Sequence, residues 1–554
     1  MTSTTMNVTP VRPPRLFTVV AASATGTVFE WYDFFVFGSL TAIMAKLFFA
    51  GVNETAAYIF ALLAFAAAFA ARPIGALVFG RIGDRMGRKF AFLITISLMG
   101  LATFAIGLLP TYATAGMTAP ILLIAMRLIQ GFALGGEYGG AAIYVAEHAP
   151  AGKRGAYTGW IQTSAAAGLL VALLVVFATR RAIGEEAFAA WGWRVPYLVS
   201  LVLLVVSVWI RLRLHESPVF QKMREEGKLC KAPFTESFLR WKSLRTVLIA
   251  LFAIMAAQGV VWYTFHFYVQ TFLDKVLKVD SGTINEVLMV AVAASMPMYA
   301  FFAWLSDKIG RKILMFTAIA LSAIGFFPLF HALAEAANPA LVAAQAAAPV
   351  SVIADSSTCS LQFDPVGKAQ FVSSCDIAKS ALAGAGISYA NVEAPKSALA
   401  QVRVGQAVIP GIEGSGMAAA EVKTARAAFE ARLKAALTAA GYPEKADPAR
   451  FDTRRVIGIL LIFMVLATML YGPQAAALVE LFPSRIRYTA LSLPYHIGTG
   501  WFGGFLPAAV FAIQAASGDV YYGLWYPTIV AGFCAVVCLF FLPETHKRDI
   551  NAIA

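Results

Sequence analysis

The chain has 554 residues, 59% of them apolar and 14% charged, with a formal net charge of +13 at pH 7. This composition excludes an ordinary water-soluble enzyme and points to a membrane protein. The excess cations do not form one patch of the kind that grips nucleic acid, because clusters such as Arg81 to Lys89, Lys153 and Arg154, Arg211 to Arg224, Lys308 to Lys312, and Arg485 and Arg487 fall in alternate loops.

A bilayer span needs about 20 mostly apolar residues. Twelve spans are predicted, at roughly 16–43, 56–79, 90–110, 119–147, 156–179, 193–213, 245–272, 284–304, 313–333, 455–479, 489–514 and 521–543. The residues before span 1 include Arg12 and Arg15 but no cleavable signal pattern, so span 1 is expected to be retained. The loops near 50–55 and 111–118 carry no Lys or Arg, which places both termini and the 214–244 segment in the cytoplasm.

Span 1 carries Glu30-Trp31-Tyr32-Asp33 near its middle, with the two acids on neighbouring faces of a helix. Buried carboxylates are costly in a membrane and should face a cavity. Span 2 contains Arg72-Pro73, and span 4 contains Arg127, Gln130 and Glu137 among glycines that let helices approach closely. In the later spans the polar groups are mostly neutral: Gln162 and Thr163, then Gln258, Tyr263 and His266, then Tyr471 and Gln474, and Tyr495 with His496. Such groups line a cavity or bind helix to helix.

After span 2 comes Gly80-Arg-Ile-Gly-Asp84-Arg85-Met-Gly87-Arg88-Lys89, and after span 8 it returns as Ala303-Trp-Leu-Ser-Asp307-Lys308-Ile-Gly310-Arg311-Lys312. Two copies imply two homologous halves. Gly80 permits close helix contact, Gly87 a sharp reversal, and Asp84 can sit at a neighbouring helix end.

Residues 334–454 interrupt the second half and are expected outside the membrane, in the periplasm. Short strand-like runs at 350–353, 387–389 and 406–409 and an amphipathic helix at 418–440 read as a small α/β domain. It lacks His and CxxC spacing, so no metal site is expected, and no catalytic set stands out. A disulfide between Cys359 and Cys375 is expected in an oxidising compartment, whereas Cys230, Cys534 and Cys538 read as small buried hydrophobes.

The stretches TGTVFEWYDFFVFG, ARPIGALVFGRIGDRMGRK, RLIQGFALGGEYGG, AEHAP, WGWRVPYL and HESPVF together resemble the metabolite:proton symporter branch of the major facilitator superfamily, over roughly 16–333 and 455–548. The resemblance implies an all-α membrane fold of twelve helices in two pseudo-symmetric six-helix bundles: residues 1–213, a linker at 214–244, then 245–333 and 455–554 around the 334–454 insert. It implies import of a small organic acid with protons by alternating access, across an inner membrane, by a monomer that needs no cofactor beyond the proton gradient. Zwitterions such as proline and betaine, or polyols, are the alternative substrates. A sensor using the insert to bind ligand is the rival outside transport.

By the same similarity Asp33 is the proton-carrying acid and Arg127 the cation that pairs with it, with Glu30 and Glu137 as further coupling candidates. Arg72 is the candidate anion contact, since guanidinium holds carboxylate in bidentate fashion, and Tyr32, Gln162, Gln258, Tyr263, His266, Tyr471 and Gln474 are candidate cavity residues. Gly80, Asp84, Arg85, Gly87, Arg88 and Glu147, with Asp307, Gly310, Arg311 and Glu480, match the charge network that closes the inner gate, and PET at 543–545 resembles a motif contributing to it.

Overall fold

The computed structural model describes residues 16–50, 54–213, 216–360 and 372–550; Arg12, Arg15 and His215 lie outside them. A long apolar segment in lipid can satisfy its backbone only within itself, which makes each predicted span a helix. Twelve long helical segments follow in the described chain: α1 (Leu16–Phe48), α2 (Glu54–Met86), α3 (Arg88–Leu108), α4 (Thr118–His148), α5 (Arg154–Ile183), α6 (Arg194–Leu212), α7 (Trp241–Val276), α8 (Ser281–Ile309), α9 (Arg311–Ala337), α10 (Thr453–Leu481), α11 (487–517) and α12 (Trp525–Phe541). Among the described residues, nine helices have the length and apolarity to cross a membrane. Large apolar side chains such as Ile74, Leu174, Ile324 and Phe540 point outward, as a lipid-facing surface requires.

Within the first half α2 packs on α4, α1 on α5, and α3 on α4 and α6; within the second, α8 and α9 pack on α10, and α12 on α9. The halves meet along two seams, α2 against α11 and α5 against α8, which exchange places when each helix is matched to the one six later. Small residues make the tightest approach possible: Gly131 and Gly135 of α4 lie on the backbone of Ala68 and Arg72, where a Cβ would collide. Helices α7 and α11 are not regular. Residues 251–255, 264–268 and 272–276 of α7 and 497–504 of α11 form π-helical turns, a distortion common at functional sites.

Between α9 and α10 the chain forms a small α/β unit. Helix Pro339–Ala347 leads to β1 (Val350–Ala354), helix Ser374–Gly384, β2 (Ala390–Glu393), β3 (Gln401–Val404), β4 (Ala407–Pro410) and helix Ala419–Ala439. The sheet order is β2-β1-β3-β4, with β1 parallel to β2 and antiparallel to β3. Val350, Val352 and Ala354 of β1 alternate into its core. Cys359 is bonded to Cys375, with the Cα atoms 5.2 Å apart.

The segment at 387–389, expected as a strand, is not one. Ile387 and Tyr389 are buried, and the Tyr389 N–H donates to Gly518 O at 2.6 Å, so these residues serve the junction with the helices and strand β2 starts only at Ala390. The last strand is also shifted by one residue, because Gly405 turns the chain with φ +55°. Strand β3 and the helices at 339–347 and 374–384 were not predicted; β3 has only four residues, too few for its alternation to stand out.

The unit leaves α9 and rejoins α10 at the ends opposite the charged loops. Its hydrogen bonds to the helices go to the second half: Asn338 Nδ2 to Leu277 O (2.9 Å), Asn391 Nδ2 to Ser517 O (2.8 Å), and Ala446 N to Lys278 O (3.0 Å).

Candidate functional site

Asp84, in the last turn of α2, accepts the backbone N–H groups of Tyr488 (3.2 Å) and Thr489 (2.9 Å), the second and third residues of α11. A carboxylate there satisfies donors that have no partner within the helix and meets the positive end of its dipole. Asp307, in the last turn of α8, does the same for Gly155 (2.9 Å) and Ala156 (2.7 Å) at the start of α5.

Each seam then adds a second carboxylate. Glu147 at the end of α4 receives Arg487 at 2.8 Å and Arg88 at 3.9 Å; Glu480 at the end of α10 receives Arg311 at 3.2 Å and Arg154 at 3.8 Å. A third acid caps the helix that follows each loop. Glu216 accepts the N–H groups of Arg88 and Lys89 (both 3.1 Å), and Glu544 those of Arg311 (2.9 Å) and Lys312 (3.1 Å). Gly87 (φ +118°) and Gly310 (φ +109°) adopt the backbone that only glycine takes readily, and a Cβ on either would strike the capping glutamate.

Arg154, Arg487 and Glu216 are therefore members that the motif comparison missed, whereas Glu544 is the acid of the PET motif at 543–545. A signal existed: Glu147 to Arg154 and Glu480 to Arg487 have the same spacing. Arg85 departs from expectation. It is exposed and joins none of the ion pairs among the described residues, because its position faces away from both seams. Ala303 replaces the glycine of the first loop without loosening its seam. Gly80 lies 2.8 Å, measured from an added Cβ, from the Thr489 Cα, whereas Ala303 is fully buried against Gly155 and Gly159, so the small residues have moved to the partner helix.

Deeper in the first half are three acids and three arginines, all nearly inaccessible: Glu30, Asp33, Glu137, Arg72, Arg127 and Arg211. Glu137 Oε1 pairs with Arg211 Nη2 at 3.0 Å, and Glu30 adjoins both. Arg211 fits because Gly26 of α1 leaves room for its guanidinium, which also covers the Phe92 ring at 3.5 Å. Sequence reading placed Arg211 in a loop.

The direct pair expected between Asp33 and Arg127 is not formed in this conformation. Arg127 Nη1 donates to Gln130 Oε1 (2.8 Å), Gln130 Nε2 donates to Thr103 Oγ1 (2.7 Å), and Thr103 stands beside the Asp33 carboxyl. Neutral amide and hydroxyl groups thus intervene between the two charges.

Between the halves lies a layer of aromatic and amide side chains. Tyr138 and Tyr495 stack with centroids 3.7 Å apart; Gln162 Nε2 donates to Tyr138 OH (2.9 Å) and Tyr471 O (2.8 Å); Tyr471 and Tyr495 hydroxyls are 3.2 Å apart. Gln474 Nε2 reaches Tyr138 OH at 3.4 Å, and the carbonyl oxygens of Gln162, Gln258 and Gln474 have no partner. Arg72 lies over Phe69 (4.2 Å) and Phe34 (4.8 Å) with Tyr263 alongside, its Nε and Nη2 without acceptors. Buried polar atoms are nearly always satisfied, so these open donors and acceptors make the layer the candidate binding site.

Two of the expected cavity residues do not belong to that layer. Tyr32 donates its hydroxyl to Pro196 O of α6 at 2.7 Å, fastening α1 within the first half. His266 bonds the Trp262 carbonyl of its own helix (2.9 Å) and stacks on the Trp262 ring at 4.3 Å, a packing arrangement.

Comparisons with known proteins agree with this geometry. The family described as sugar (and other) transporter matches residues 18–233 and 438–554. The chain is 38% identical over 329 residues to the inner membrane metabolite transport protein YhjE of Escherichia coli K12, covering 58% of this chain and 74% of that one. It is 34% identical to the alpha-ketoglutarate permease of the same organism, over 59% of this chain and 73% of that one, and 34% identical to the proline/betaine transporter of Salmonella typhimurium, over 57% and 65%. Among solved structures, the proton:xylose symporter XylE bound to 6-bromo-6-deoxy-D-glucose superimposes with a TM-score of 0.64 at 15% identity, covering 97% of this chain and 98% of that one, which establishes a common fold.

Proposed function

The chain belongs to the sugar (and other) transporter family of the major facilitator superfamily, and from that premise we propose that it is a proton-coupled symporter importing a small organic acid by alternating access. A transporter of small molecules in the membrane is what the family establishes; the acid, the proton and the direction are the proposal. The observation that carries it is the pair of latches at one end of both seams, set apart from a buried polar layer that contains the open donors of Arg72. Closing that end while the layer stays reachable from the other is what alternating access requires.

The latch end is the cytoplasmic one in this reading, because its loops hold the Lys and Arg clusters. The two bundles pivot about the 214–244 linker, and the 334–454 unit, at the other end, is extracytoplasmic. Asp33 carries the coupling proton: Arg127 is linked to it through Gln130 and Thr103 and pairs directly when the halves rearrange. Glu30 and Glu137 are held by Arg211 and support that site.

A zwitterion such as betaine is the second reading. Trp31 and Trp262, 6.4 Å apart, with Trp262 donating to Tyr299 OH at 3.0 Å, form an aromatic wall suited to a quaternary ammonium group.

Uptake into proteoliposomes with an imposed proton gradient, using labelled α-ketoglutarate, citrate, shikimate, proline and betaine, tests both readings. Gradient-driven accumulation of one compound that is lost in Asp33→Asn, with exchange retained, is the expected result. Movement indifferent to both gradient and mutation would overturn symport.

A further inference from the structure

We propose that Arg72 and His496 form one carboxylate site divided between the halves, so that the transported molecule itself ties α2 to α11. This rests on the reading of the substrate as a carboxylate-bearing metabolite. His496 is 1% exposed, sits directly before the π-helical turns of α11, and packs edge-on to Tyr495 with centroids 4.9 Å apart. The ring's one hydrogen-bonding neighbour is the Gly135 backbone, in a contact that falls short of a well-formed hydrogen bond, so at least one ring nitrogen is left open, and Arg72 is a charged group beside it. Arg72 is 2% exposed and keeps Nε and Nη2 open.

The chemistry selects the ligand. A buried donor without an acceptor is costly, and the open set here is a planar guanidinium fork plus an imidazole, which offers an N–H in either tautomer. A carboxylate supplies the negative charge, the two coplanar oxygens and enough lone pairs for all of them. A cation is refused by the guanidinium, and a neutral polyol leaves its charge uncompensated.

The division between halves gives the site a mechanical consequence. Gly500 and Gly504 of the π-helical segment lie against Phe69, the ring beneath the Arg72 guanidinium. A carboxylate clasped by Arg72 and His496 therefore fixes the position of α11 on α2, along the same seam that Asp84 latches at its far end.

The test is transport kinetics and ligand-induced thermal stabilisation for His496→Leu, His496→Phe and His496→Gln, with α-ketoglutarate, shikimate and betaine as probes. For whichever probe the wild type carries, H496L and H496F are expected to raise KM roughly 10- to 100-fold with kcat little changed. H496Q, which keeps an N–H donor, should recover most of the loss, and H496L should add little to Arg72→Gln. H496F supplies the result if H496L does not fold. An unchanged KM in either apolar variant, or H496Q as impaired as H496F, overturns the divided site while leaving organic-acid transport intact. A wild type that moves none of the carboxylates overturns the functional reading and this site with it.

Discussion

Asp84 and Asp307 make the same bond on opposite seams, each holding the second and third backbone N–H groups of a helix that belongs to the other half. Their partners Arg88 and Arg311, Glu147 and Glu480, Glu216 and Glu544 repeat with them. The closed end is therefore held by two equivalent clasps, and opening it requires release of both.

Asp84→Ala and Asp307→Ala should each weaken closure by about 1–2 kcal/mol, the usual worth of a capping side chain. The seams are separate, so the double variant should show the sum. Labelling of a cysteine introduced near Ala151 reads the open fraction; labelling equal to the parent in the double variant would mean that these bonds do not restrain the end.

Gly155→Val should prevent the α5–α8 seam from closing, because even a Cβ there meets the Ala303 carbonyl and the Arg311 guanidinium. Overpacking of this kind costs about 1–3 kcal/mol. Ala303→Gly, facing the same contact, should cost only about 1 kcal/mol in thermal unfolding, the usual penalty of glycine inside a helix, and a larger effect from Ala303 than from Gly155 would contradict the packing argument.

Arg211→Met leaves the buried Glu137 without its cation, a loss of about 3–5 kcal/mol. Adding Glu137→Gln should return part of it, since the directly paired carboxylate is then neutral and Glu30 alone is left without that cation. Unfolding followed by tryptophan fluorescence in detergent distinguishes the two: equal destabilisation in single and double variants would show that the pair contributes through shape alone.

Cys359→Ser opens a loop closed across a sequence separation of 16, which should cost the inserted unit about 3 kcal/mol. Limited proteolysis of the full chain should then cut between β1 and β4 before any cut in the helices. Protection equal to the parent would show that the sheet needs no bridge.

Asp355 is held below the usual carboxylate range, first by the Ser357 hydroxyl and then by the N–H groups of Ser397 and Ser357. A depressed native value adds stability above the unfolded value, and that stability is lost as pH falls through the native one. Acid resistance of the unit should accordingly drop as pH falls below about 4 in the parent, and Asp355→Asn should flatten this part of the profile; a parallel decline in both would assign the acid sensitivity elsewhere.

Much of the architecture was legible because it depends on properties that each segment carries alone. Apolar length specifies the spans, and Asp84-x-x-Gly87-Arg88 with its copy at Asp307 declares two related halves. The inserted unit was legible only in outline. Its longest helix is found almost to the residue, whereas Ile387 and Tyr389 look like strand but are claimed by the junction with Gly518.

The individual site residues divide along the same line. The acids and arginines of the first half announce themselves, since a charge in an apolar run is costly wherever it sits. Which charge meets which does not: Arg211 reads as a loop cation but reaches Glu137, Arg127 stops at Gln130, and Tyr32 turns to Pro196. By itself the sequence determined the spans, their order and the duplicated latch, all set by local composition and spacing. Only the tertiary structure decided the partners across α2–α11 and α5–α8 and brought Arg72 to His496, because a contact between helices hundreds of residues apart depends on helix rotation and depth, which no single segment encodes.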